Sequence, residues 1–76
     1  MKIRYDVETD TLTIRLNTDT IAESDESSDG VIHDYAADGR LVALEILHAS
    51  LRTENPYAIE LQVEPQQPKS NVTEIA

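Results

Sequence analysis

The sequence predicts a β-rich α+β domain: two β-hairpins packed as a four-stranded antiparallel meander, a short helix, and a candidate fifth strand at the C-terminus. Three observations carry that reading. Apolar and polar residues alternate with period two in separate short stretches, the pattern of half-buried strands. Short polar turns join those stretches, one of them Asp38-Gly39, a strong hairpin signal. The longest unbroken apolar run is Leu41-Val42-Ala43-Leu44, so nothing has the length of a membrane span.

Each element has its own justification. In the first hairpin, Ile3 and Tyr5 alternate with Lys2, Arg4 and Asp6, and Leu12, Ile14 and Leu16 alternate with Thr11, Thr13 and Arg15. The polar run Asp6-Val7-Glu8-Thr9-Asp10 suits the loop between them. In the second hairpin, Val31 to Tyr35 and Arg40 to Leu47 flank Asp38-Gly39, where glycine supplies a positive φ without steric cost. Glu45 orients the last strand, turning Val42, Leu44 and Ile46 inward and Leu41 and Ala43 outward. An isolated hairpin is marginal in water, whereas four strands sharing an apolar face hold together. His48 to Thr53 suits a turn or two of helix, with Arg52 near its C-terminal end and Asn55-Pro56 stopping it. Tyr57, Ile59, Leu61 and Val63 then alternate with Ala58, Glu60, Gln62 and Glu64, the candidate fifth strand. Residues 1–64 thus form one domain, and the polar, proline-containing stretch 65–76 reads as a flexible tail.

Composition narrows the function. Six basic against fifteen acidic residues leave a formal net charge of −9, which argues against nucleic acid and anionic membranes as partners. Without cysteine there is no disulfide, thiolate metal site or redox motif. The opening Met1-Lys2-Ile3-Arg4-Tyr5-Asp6 lacks the apolar stretch of a signal peptide, which predicts a cytoplasmic protein. A chain of 76 residues buries only about 60% of its unfolded surface, room for one thin core without a deep cleft.

Between Arg15 and Arg40 stand acids and no base, densest at Glu23, Asp25, Glu26 and Asp29. The simplest reading is a mobile connecting loop whose charges keep the protein soluble. The same loop could dock a basic protein. It also starts like a calcium loop, at Asp25-x-Ser27-x-Asp29-Gly30, but the twelfth position, which needs a bidentate carboxylate, is Ala36. His33 and His48 fit no zinc spacing. Ser24, His33 and Asp34 have the residue types of a hydrolytic triad but lack a nucleophile elbow, so no enzyme and no cofactor is expected. Lys2, Arg4, Thr13 and Arg15 share the solvent face of the first hairpin, where cross-strand pairs with Glu45 or Asp34 are the ordinary expectation. Asn71-Val72-Thr73 matches a glycosylation sequon by chance.

Two blocks of residues carry a family resemblance. One is Lys2-Ile3-Arg4-Tyr5-Asp6-x-Glu8-x-Asp10-x-Leu12-x-Ile14-Arg15-Leu16; the other runs from Gly30-Val31-Ile32 through Asp34-Tyr35, Asp38-Gly39-Arg40-Leu41-Val42 and Leu44-Glu45-Ile46-Leu47 to Ala49-Ser50. With Ala22-Glu23-Ser24 between them, residues 2–50 resemble the short prokaryotic proteins numbered twenty-two eighty-three in the domain-of-unknown-function series. The resemblance implies no established activity and no catalytic residue; it suggests an antitoxin-like role. His33 departs from the apolar residue expected at its position.

The expectation is therefore a non-enzymatic protein-interaction domain, an antitoxin-like acidic partner of a small basic protein or a homodimer. Its candidate contact residues are Glu23, Asp25, Glu26 and Asp29 in the acidic loop, Ile32, Leu41 and Ala43 on the outer sheet face, and Tyr57, Ile59 and Leu61 near the C-terminus. The alternatives are a small-ligand or divalent-cation module using residues 23–30, and a purely structural homo-oligomer.

Overall fold

The computed structural model describes residues 1–65. Its elements in chain order are β1 (Lys2–Asp6), β2 (Thr11–Arg15), β3 (Glu23–Ser28), β4 (Val31–Tyr35), β5 (Leu41–Leu47) and α1 (Ala49–Arg52). The five strands form one antiparallel sheet in the order β1-β2-β5-β4-β3. The strand-rich antiparallel fold with a short helix after the last strand is the one the alternation predicts.

Two features correct the expectation. The fifth strand is Glu23–Ser28, in the acidic segment expected to be a loop, and Tyr57 to Glu64 has no strand pairing. The reason is the same in both places: strand formation depends on where a backbone finds a partner more than on intrinsic preference. β3 lies against β4, joined to it by a two-residue turn at Asp29-Gly30, where Gly30 has φ 77°. That dipeptide is the same hairpin signal as Asp38-Gly39. Residues 57–65 have the right alternation but make no strand pairing, even with the open edge of β1. The expected tail lies, from residue 66 on, outside the described residues.

The second correction concerns order. The β2–β3 connection passes β5 and β4 to reach the far edge, so β2 sits beside β5 instead of beside the strand that follows it. The connection is tied down on the way. Leu16 N donates to Val42 O at 2.7 Å, Asn17 Nδ2 to Leu41 O at 3.2 Å, and Ala22 N to Tyr35 O at 2.7 Å.

Register defines two faces. Ile3, Ile14, Leu44 and His33 make one row of the apolar face; Tyr5, Leu12, Ile46 and Val31 make the next. On the opposite face run Arg4, Thr13, Glu45, Ile32 and Glu26, and beside them Lys2, Arg15, Ala43, Asp34 and Ser24. Val42 is an extra residue on β5, because Asp34 pairs with Ala43 while Tyr35 pairs with Leu41. This bulge helps explain why Val42 and its neighbour Ala43 are both buried although they precede and follow one another in a strand. Ala43 lies on the polar face as expected, between Arg15 and Asp34, but it is buried there instead of exposed.

The core is thin. Val42, Ala43 and Ala49 are its only fully buried apolar residues among those described. A sheet needs a second layer to bury its apolar face. Among the described residues that layer comes from α1 and the segment after it, whose Tyr57 meets Tyr5 edge-on with ring centroids 5.4 Å apart.

Candidate functional site

Asp10 holds α1 onto the sheet. It closes the β1–β2 turn in the left-handed region, φ 54°, which asparagine and aspartate tolerate better than most residues. Its Oδ1 accepts from Tyr5 Oη at 2.6 Å and from Ser50 N at 3.0 Å; its Oδ2 accepts from Ser50 Oγ at 2.6 Å. Its carbonyl accepts from Ala49 N at 3.0 Å. The Ser50 bonds, then the Tyr5 bond, hold the Asp10 carboxyl below its ordinary pKa. The same bond, with the negative charge it brings, pushes the Tyr5 phenol up to about 12. Sequence reading assigned Asp10 to loop chemistry; its reach to a serine forty positions away is set by the fold.

The polar face carries a carboxyl pair. Asp34 is 1% exposed, and Ser24 Oγ donates to its Oδ1 at 2.6 Å. Glu45 lies diagonally across the β4–β5 ladder from Asp34, and the Asp34 carboxyl beside it raises the Glu45 pKa: of two adjoining carboxyls, one retains its proton more strongly. The expected ion pairs with Arg4 and Arg15 do not form. Thr13 stands between Arg4 and Glu45, a span of two strand spacings, about 10 Å. Arg15 instead donates to the carbonyls of Asn17 at 2.9 Å and Asp19 at 2.7 Å, bracing the connection to β3. Ser24 and Asp34 of the sequence-level triad do meet, but His33 points to the other face. There its Nδ1 lies 3.2 Å from Ser27 Oγ and its ring stacks on Tyr35.

The acidic residues line an edge. All six residues of β3 are exposed, and no strand pairs with its outer side among the described residues. Alternation sends Glu23 and Asp25 to the apolar face and Ser24 and Glu26 to the polar face. The Asp25–Asp29 carboxylates therefore do not converge as a calcium loop requires, and among the described residues no three His, Asp or Glu side chains come together in a metal-holding group. Glu26 Oε2 instead accepts from Gly30 N at 2.8 Å, and the Arg52 guanidinium donates to Asp29 O while lying over Gly30. A Cβ on Gly30 would sit 2.7 Å from the movable end of Arg52, so it is the positive φ of 77°, more than that contact, that favours glycine here.

The remaining candidate residues separate. Ile32 and Leu41 are half-buried, and Ala43, at 1% exposure, offers nothing to a partner. Tyr57, Ile59 and Leu61 are exposed, and Ile59 and Leu61 border an apolar cavity of about 480 Å³ with Met1 and Ile3 beside β1. Met1, Ile3 and the β1 edge are what the sequence reading missed.

No helix among the described residues is long and apolar enough to cross a membrane. Comparison with curated proteins finds no match, and comparison with solved structures finds none either. A family model described as a protein of unknown function, DUF2283, matches residues 2–50, which take in all five strands and the Ser50 that Asp10 holds. By that match, over more than half of its 76 residues, the chain belongs to the DUF2283 family.

Proposed function

We propose that this chain is a non-enzymatic protein-interaction domain, an antitoxin-like acidic module that receives a small basic protein on the outer edge of β3. The observation that carries the reading is Glu23, Asp25 and Glu26 on a fully exposed edge strand with no neighbour on its outer side among the described residues. Such an edge offers a row of backbone donors and acceptors to an added strand. Its carboxylates, in a chain of net charge −9, select a cationic one and hasten its encounter. A cation-binding role has less support, because the carboxylates of β3 diverge to opposite faces.

The test is a titration of the isotope-labelled full chain with a synthetic peptide of alternating lysine and valine, followed by amide NMR at low and high salt. The expected result is chemical-shift change centred on Glu23 to Ser28 that shrinks as salt screens the charges. Shifts absent from β3, or unaffected by Glu23→Lys with Glu26→Lys, would overturn the reading.

A further inference from the structure

We infer that the other edge of the sheet, β1, is a self-association site: two copies of this chain pair their β1 strands antiparallel about a two-fold axis at Tyr5. The charge order of β1 and the turn after it is self-complementary. From Lys2 the sequence runs cation, apolar, cation, Tyr5, anion, apolar, anion, through Ile3, Arg4, Asp6 and Val7 to Glu8. Reversed against itself about Tyr5, that order places every charge opposite its counter-charge. Arg4 faces Asp6 of the second copy, and Asp6 faces its Arg4. The strand ends at Asp6, whose Oδ1 accepts from Glu8 N at 3.0 Å, so Val7 and Glu8 belong to the turn and the Arg4–Asp6 pairs are the charge pairs within the ladder.

The register also keeps faces matched. Arg4 and Asp6 share the polar face, while Ile3 and Tyr5 share the apolar face, so the joined sheet has one continuous apolar side. Pairing β1 with β3 of another copy would instead set Ile3 and Tyr5 beside Glu23 and Asp25 on that side. That arrangement would push carboxylates against apolar surface and would not close, giving open chains of copies.

The surfaces beside the edge are ready for it. Among the described residues no strand pairs with the outer side of β1. Arg4 keeps 70% of its side chain exposed and has only a loose contact with its own Asp6, at 3.9 Å. Next to it, Met1, Ile3, Ile59 and Leu61 surround the apolar cavity of about 480 Å³, with Ile3 41% and Leu61 80% exposed. The two-fold axis places the second copy's matching apolar group at the opposite end of the paired β1 strands, so the joined sheet carries one such group at each end.

Sedimentation of the full chain from micromolar to millimolar concentration tests this. The expected species is a dimer. Arg4→Asp places two anions opposite each other at both symmetric positions, and self-association should weaken at least about tenfold. Circular dichroism checks that Arg4→Asp remains folded; Asp6→Lys supplies the complementary variant, and mixing the two variants should restore a dimer, since each then meets opposite charge. A wild-type chain that stays monomeric at millimolar concentration would overturn the proposal. So would a dimer unchanged by Arg4→Asp, a dimer lost only on Asp25→Lys in β3, or a series of growing oligomers.

Discussion

β1 and β3 are the two outer strands of one sheet, and they treat the same physical problem in opposite ways. A free strand edge invites pairing, and charge is a standard defence. β3 carries Glu23, Asp25 and Glu26, distributed over both faces, so a second β3 meets like charge whichever way it approaches. β1 carries Lys2, Arg4 and Asp6 on one face and Ile3 and Tyr5 on the other. Its charges are mixed in sign and its other face is apolar. The difference teaches that a chain of net charge −9 is not uniformly repulsive to itself: the excess of acid is concentrated away from β1, where three of the six basic residues lie in β1 and β2.

The strongest way to break the comparison is to remove the strands that both edges depend on. Leu44 stands at the centre of the apolar face between Ile14 and His33. Leu44→Ala should cost about 2 kcal/mol, the low end for such changes because the site is only half-buried. Urea unfolding followed by circular dichroism should then show both edges lost in one transition. Separate loss of β1 and β3 would mean that the sheet is not one cooperative unit.

Asp10→Ala comes next. It removes the acceptor for Tyr5 and Ser50 and puts alanine at φ 54°, so stability should fall. The loss should fall on the β1 side, with hydrogen exchange rising at β1 and α1 before β3. pH sharpens this point. The Asp10 carboxyl is lowered in the fold, so its contribution is present above the ordinary aspartate value near 3.9 and disappears as pH falls through the folded value. Asp10→Asn should flatten that part of the acid limb of the stability curve. A limb that keeps its full steepness would count against the assignment.

Ser24→Ala probes the opposite edge. It takes from buried Asp34 the hydroxyl that binds it, at a cost of about 1 kcal/mol. Amide exchange should quicken in β3 while β1 is unchanged. Equal acceleration at both edges would show that Ser24 acts through the whole sheet.

The smallest expected effect has the opposite sign. The Glu45 pKa is raised beside Asp34, so the pair is most favourable below the ordinary glutamate range and loses stability as pH rises through the folded Glu45 value. Glu45→Gln keeps a donor toward Asp34 without the second charge. It should stabilise the protein at neutral pH by roughly 0.2–1 kcal/mol and leave stability unchanged in acid. Destabilisation at neutral pH would show that the Glu45 charge has a partner on the polar face.

Much of this was legible in the sequence because it is local. Alternation located β1, β2, β4 and β5, Asp38-Gly39 located their second turn, and Asn55-Pro56 follows a helix of the expected place and length. β3 was not legible because its six residues have neither apolar alternation nor strand preference; only the Asp29-Gly30 turn marked it. Tyr57 to Val63 had the pattern of a strand and lacked the neighbour. Of the candidate contact residues, the acids of β3 and the exposed Tyr57, Ile59 and Leu61 are accessible, while Ala43 is not, because its small side chain sits between Arg15 and Asp34 on the neighbouring strands.

By itself, the sequence determined the turns, the strands with apolar faces, the acidic balance and the charge order about Tyr5, all of which depend on neighbours within a few residues. The tertiary structure alone decided that β2 lies against β5, that an acid-rich segment becomes an edge strand, that Asp10 holds Ser50, and that Glu45 lies beside Asp34. The physical reason is that backbone hydrogen bonds and carboxyl–carboxyl contacts between distant segments depend on which segments the chain brings together, and local preference carries little information about that choice.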